Sequence, residues 1–363
     1  MKNKGLRKHK TYGYLNNLSS PKIKLIKTIM KTLKLTLLVL TIILNSCSND
    51  EDIKPDVEDS YDIYVAGFKG LNGSSPDKAI YWKNGIITEL ESSYRSEATA
   101  IFVSNEDVYV SGKTEDGACY WKNEVLVNLS YGTIAEDIAV VGSDVYVVGH
   151  QDEVACYWKN GIKTILGETT KKSFANAIAI VGNDIYIAGS ETTDKQSYTM
   201  KTIYWKNDNK TVLNNGIANS IAVDGNDVYI AGINHTNFNS VYWKNNDFVA
   251  SNPLNTYDNG WGNSVATDHN NVYVAGHSNG NYLTYATYWK NGIPTALLES
   301  NYGYDSEAND IKAIDNNVFI CGYKTSQNGD EIPILWLNEK EIILDNGENE
   351  GRAMGIFVVK KEN

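Results

Sequence analysis

Three features of the sequence predict an all-β protein: a seven-bladed β-propeller of four-stranded antiparallel blades. A strand signature, DIYVAG at Asp62–Gly67, returns at Asp107, Asp144, Asp184, Asp227, Asn271 and Asn317, spaced 37 to 46 residues apart. A second motif, YWKNG at Tyr81–Gly85, recurs around Trp82, Trp121, Trp158, Trp205, Trp243, Trp289 and Trp336, which leaves only Trp261 outside that slot. Third, the signature strands are apolar on both faces: Ile185 and Ile187 point one way, Tyr186 and Ala188 the other. A sheet with one wet face would alternate with polar residues, whereas radially packed sheets are covered on both sides.

Each repeat reads as four strands. Strand A is typified by ANAIAIV from Ala175, and its copies begin at Ala98, Ala135, Ala175, Ala218, Gly262 and Ala308. A Gly/Asn-rich turn leads into strand B, the DIYVAG signature. Strand C carries the Tyr-Trp-Lys. An Asn-Gly pair (84–85, 160–161, 291–292) then marks a type I′ hairpin into strand D, such as Thr164–Gly167. Four strands in ~42 residues is the size of a propeller blade. The first signature has no strand A upstream. The missing copy stands at the far end, in GRAMGIFVVKK from Gly351. Gly351–Val359 is therefore the expected closing strand, completing blade one and removing the open edges. No polar-faced capping repeat of the kind a solenoid needs is evident.

The repeat pattern, A-x-x-I followed by Gly, Val, Gly, Tyr-Trp-Lys-Asn-Gly and Leu, resembles the bacterial HAF-type extracellular repeats over residues 61–359. It differs in having Tyr-Trp-Lys where that family tends to have Phe-Leu-Trp. The resemblance implies a propeller-like extracellular module and carries no catalytic residues over.

The chain before the repeats has another character. Residues 30–46 have a signal-peptide pattern: Lys31 and Lys34, then an apolar run from Leu35 to Leu44. That run is too short to span a ~30 Å hydrocarbon core. It ends in Leu-Asn-Ser-Cys47, which resembles the lipobox of bacterial lipoproteins; the resemblance implies acylation of Cys47 and a membrane partner reached through the N-terminal lipid. The alternative is an ordinary secretory signal. Residues 1–29 fit no such signal and read either as sequence ahead of a true start at Met30 or as a basic extension. Residues 47–60 are acidic and without aromatics before Tyr61, as expected of a flexible tether. Residues 61–363 are the propeller. Ser48 after the cysteine resembles the usual outer-membrane sorting signal, and Asp50-Glu51-Asp52 resembles a surface-export signal.

Residues 1–46 hold ten Lys or Arg and no acid, leaving 23 basic against 44 acidic residues in the remainder. So acidic a body repels phosphate backbones, which argues against nucleic acid as a partner. No cofactor and no metal are expected: there is no H-E-x-x-H and no EF-hand-like loop. GHSNG at Gly276–Gly280 matches a nucleophile elbow in letters only, because Gly276 is the repeat's own strand-B glycine. Cys119 and Cys156, in the same slot of adjacent repeats, and Cys321 read as core residues, and a bridge is not expected.

The B–C and D–A loops vary most and share one face, where function is expected. The candidate ligand-binding residues there are Trp261, Tyr94, Tyr131, Tyr257, Tyr302 and Tyr304, with Trp261 foremost. Exposed aromatics among Asn and Asp suit sugar rings or a protein partner. A candidate channel ring is read at the second position of strand A: Glu136, Asn176, Asn219, Asn263, Asn309 and Arg352, with Thr99 in the first full copy. Such residues either bind a small polar ligand or bond the neighbouring blade's backbone. The expected function is a lipid-anchored, monomeric, non-catalytic propeller that recognises a glycan or an envelope protein. The alternatives are a propeller enzyme acting on an extracellular polysaccharide and a scaffold subunit of an outer-membrane complex.

Overall fold

The YWKNG turns fix the local structure. Asn84 and Gly85 take φ of 49° and 78°, the paired positive angles of a type I′ turn. Asn84 Oδ1 accepts the Ile63 N–H at 2.8 Å, and its Nδ2 donates to Asp62 at 2.9 Å. Asn123, Asn160, Asn207, Asn245, Asn291 and Asn338 cap strand B in the same way. The lysine completes the arrangement: Lys159 Nζ lies 2.8 Å from Asp144 and 5.0 Å from the centre of the Tyr146 ring. The Asp, Tyr, Lys and Asn of the motif thus occupy one another.

The computed structural model describes residues 57–71, 75–236, 239–250, 259–280, 283–298, 303–345 and 350–362. Among these residues lie one helical turn, α1 (Val57–Ser60), and 27 strands, β1 to β27 in chain order. The helical turn falls at the end of the expected tether. The strands form a β-propeller. Strand β27 (Gly351–Lys360) pairs antiparallel with β1 (Tyr61–Leu71), from Tyr61 opposite Lys360 to Lys69 opposite Gly351. The inner strands β27, β4 (Ser96–Ser104), β8 (Ile134–Val141), β12 (Ser173–Val181), β15 (Asn209–Asp224), β19 (Gly260–Asp268) and β23 (Ser306–Ile314) touch in that order and return to β27.

The expectation of seven blades is corrected. The described residues form six blades, five of four strands and one of seven. Repeats four and five share β15, which runs unbroken for 16 residues. Its first part pairs with β14 (Met200–Lys206) and its second with β16 (Asp227–Asn234). The cause is the short link: Asn215 still pairs with Lys201 while the next residue, Gly216, already pairs with Asn234. The backbone therefore passes from one ladder to the other without a loop, bulging only at Leu213 and Asn214. Counting tryptophans in the sequence counts repeats, not breaks in hydrogen bonding.

The core lies between successive repeats as seven apolar clusters, each holding one motif tryptophan. All seven of these indoles are fully buried. Burying 150–250 Å² of indole at ~25 cal/mol/Å² gives roughly 4–6 kcal/mol each as an upper bound. Cys119, Cys156 and Cys321 are buried free thiols.

Candidate functional site

A bulge repeated in every inner strand shapes the centre. In β12, Ala175 faces Gly189 and Ala177 faces Ala188, so Asn176 is the extra residue. The glycine is obligatory, because a Cβ on Gly189 would lie 1.9 Å from the Phe174 carbonyl oxygen. The bulge turns its residue toward the next repeat. Thr99 Oγ1 donates to the Ala135 carbonyl at 2.7 Å, Asn176 to Ala218 at 2.7 Å and Asn219 to Gly262 at 2.9 Å. Asn263 donates to Ala308 at 3.1 Å and Asn309 to Ala353 at 2.8 Å. Most of the polar ring is therefore spent on joining repeats.

Arg352 does not belong to this ring. The bulge in β27 leaves Met354 as the extra residue, since Ala353 faces Gly67 and Gly355 faces Ala66. The ring position in the last strand falls two residues beyond the one expected from sequence, because GRAMG offers no Asn to mark it. Arg352 instead pairs with Glu331 and lies 4.3 Å over the Tyr323 ring.

Glu136 is the other exception in the ring and makes no such bond. It lines a central cavity of about 390 Å³ with Asp137, Asp310 and Lys312. Burial pushes the Glu136 carboxyl up to about 7, against the pull of Lys113. Burial also pushes Asp137 up to about 6, although it accepts the N–H groups of Ile138 and Ile178. Asp310 accepts from Ile311 N, Ile356 N, Ser264 and Lys312. For Lys312 burial acts downward, and the charges of Asp310 and Asp137 outweigh it, raising its pKa.

A second cluster stands nearer the loops. Trp261 is the second residue of β19 rather than a loop residue, and it remains 42% exposed. Its ring stacks on His277 at 6.0 Å with 23° between planes. His277 Nδ1 lies 3.1 Å from Glu307 Oε1, which also accepts from Asn263 at 2.8 Å, and Tyr323 donates to Glu307 Oε2 at 3.2 Å. Burial alone would raise Glu307; the bonds from His277, Asn263 and Tyr323 outweigh it and hold the carboxyl below its ordinary value. Burial and the Glu307 charge push Tyr323 up to about 12. Cross-strand pairing builds the row: Trp261 faces His277, Glu307 faces Tyr323, and Arg352 faces Phe68.

No protein-family model matches the chain, and no curated protein matches it. Solved structures do. A puromycin-hydrolyzing peptidase of Mycobacterium tuberculosis is similar at 10% identity with a TM-score of 0.50; the match covers 78% of this chain and 52% of that one. The β-propeller domain of the Trilobed protease from Pyrococcus furiosus, described as having an open velcro topology, gives 10% identity and a TM-score of 0.48, covering 78% of this chain and 95% of that one. A Pyrococcus horikoshii acylaminoacyl peptidase gives 11% identity and 0.46, covering 78% and 50%. At such identities the likeness is one of fold. The chain spans about half the length of the first of these structures.

The other expected contacts do not converge on Trp261. Tyr94 and Tyr131 are exposed, and Lys163 Nζ sits 5.3 Å over the Tyr131 ring, but neither tyrosine makes a ring contact with Trp261 among the described residues. Tyr304 is half-buried. Cys47, Tyr257 and Tyr302 lie outside the described residues. Ser278 is buried inside β20 (Asn271–Asn279), with no strand-to-helix elbow around it. Sequence reasoning missed Asp137, Asp310, Lys312, Glu307 and Tyr323. The signal was present for Lys312, a charge at the strand-A position where Ala139, Ala179, Ala222 and Ala266 stand in other repeats.

Proposed function

We propose that this chain is a non-catalytic binding propeller, held outside the cell by a lipid on Cys47, that recognises a glycan at the loop-rich face around Trp261. One observation carries the reading. Trp261 presents an exposed ring on a strand, backed by His277, which Glu307 holds in turn. A flat apolar face on a rigid base beside Asn and Arg side chains suits a sugar ring, whose C–H face stacks while its hydroxyls take hydrogen bonds. The test is a glycan array with wild type and Trp261→Ala. Binding that disappears in a folded variant supports the reading, and binding that survives at wild-type strength rejects it. For the anchor, Cys47→Ala should move the protein from the membrane fraction to the soluble one.

An enzyme is the second reading, favoured by the same His277–Glu307–Tyr323 row. A general base works best with a pKa near the operating pH. Glu307 is held low instead, and Trp261 covers His277. The row serves better to fix the platform than to move protons. Depolymerisation of a bound polysaccharide by wild type, abolished in Glu307→Gln, would favour the enzyme.

A further inference from the structure

Two departures of the central channel from the repeat's own rules carry charge, whereas a third, Met354 at the bulge of β27, does not. At the bulge position five repeats place a hydroxyl or amide that donates to the next repeat's carbonyl. Repeat three places Glu136 there, and an ionised carboxylate has nothing to donate. The hydrogen bond that joins the other repeats at this position is thereby forgone. In repeat seven Lys312 stands where small or aromatic residues stand elsewhere. Local rules are broken most often where function requires it.

The remaining polar groups are committed. Asp137 is held by two backbone N–H groups, and Asp310 by two more together with Ser264 and Lys312. Glu136 alone accepts no hydrogen bond from the described residues, although it is half-buried and lines the channel. The cavity, at about 390 Å³, has the size of a small-molecule site. Three carboxylates against one ammonium leave it net negative, with Lys312 as the single donor of opposite sign. Phe102 and Phe357, with ring centres 4.8 Å apart, supply an apolar wall. No three His, Cys, Asp or Glu side chains among the described residues are grouped to hold a metal ion. One free carboxylate beside an aromatic wall suits an organic cation better.

We propose that the central channel is a second binding site, separate from the Trp261 platform, for a small molecule that carries a primary ammonium group, with Glu136 as its salt-bridge partner. Lys312, paired with Asp310, faces the other wall and takes an acceptor group of the ligand. Binding draws on the ionised form of Glu136, whose carboxyl titrates at about 7. The charged groups around it are Lys113 and Asp137, with Asp310 and Lys312 also in the channel. Affinity therefore rises as pH goes from 6 to 8.

The test is calorimetry on the full chain with 1,4-diaminobutane, 4-aminobutyrate and, as an anion control, butyrate. The variants are Glu136→Asn, which installs the residue common to four other repeats, and Glu136→Gln. The expected result is saturable binding of the two amines by wild type, tighter at pH 8 than at pH 6. Both folded variants should bind at least tenfold more weakly, with a melting temperature equal to or above that of wild type. The proposal is overturned if neither amine binds wild type, if either variant binds as well as wild type, or if butyrate binds as tightly as the amines.

Discussion

Each letter of YWKNG has a separate task, and the tasks are structural. The tryptophan fills the junction between repeats, the lysine bridges Asp and Tyr, and the Asn-Gly makes the turn and caps strand B. Trp158 is fully buried against Ala135, Ile138 and Val147 of the junction cluster. Trp158→Ala should cost about 3–5 kcal/mol, because the neighbours only partly collapse into the void. Urea denaturation measures this, and a loss below about 1 kcal/mol would move the motif from packing to some other role. Glu136 adds a pH effect. Glu136 has a folded pKa raised by burial to about 7 above an unfolded value of ~4.3. Its contribution to stability is complete below the unfolded value and is lost as pH rises through the folded one. Between pH 4.5 and 7.5, wild type should therefore lose stability relative to Glu136→Asn, and parallel stability curves for the two would show that the carboxyl is solvated like any surface acid.

At the scale of the element, the bulge explains why DIYVAG ends in glycine. In every repeat a Cβ there would lie 1.8–2.0 Å from a carbonyl oxygen of the partner strand, closer than any packed structure tolerates. Gly149→Ala should push β8 away from β9 (Asp144–Gln151), since its Cβ would meet the Ile134 oxygen at 2.0 Å. The expected outcome is a destabilisation of a few kcal/mol, in the range of core overpacking, with faster amide exchange in β8 than in β19; equal exchange in the two strands would show that the ladder absorbs the methyl. Strand identities, hairpins and turn types were legible in the sequence because each depends on a few neighbouring letters: Asn-Gly for the turn, alternation for the strand, glycine for the bulge. The shared strand β15 was not legible. Asn214-Asn215-Gly216 has the composition of a turn, yet Asn215 and Gly216 pair with successive strands and only Asn214 falls in a bulge, because both neighbours offer partners. The misplacement of Arg352 has the same origin, a register that only pairing to β1 fixes. The Trp261–His277–Glu307 row also joins residues up to 46 positions apart, and only the packing of β19 and β20 against β23 unites them.

For the whole molecule, the governing feature is that the last strand is the innermost strand of the first sheet. Ile356 and Val358 of β27 pack with Tyr61, Ile63 and Trp82 of the first repeat and with Phe319 and Leu335 of the last. One ten-residue segment therefore joins the two ends of the ring, and this contact, at the greatest separation in sequence, cannot form until the rest is nearly in place. Removing residues 351–363 would bare the inner edge of β1, along with the apolar face that β27 covers. An unpaired strand edge beside an exposed apolar surface is a template for association between chains. The truncated chain should elute as oligomers on size exclusion and melt at a lower temperature than the full chain. Adding residues 351–363 in trans as a peptide should recover part of the monomer peak, because the missing strand needs backbone pairing and no covalent link. A truncated chain that stayed monomeric at the full-length melting temperature would show that the junctions between repeats, each filled by its own tryptophan, hold the ring without the closing strand.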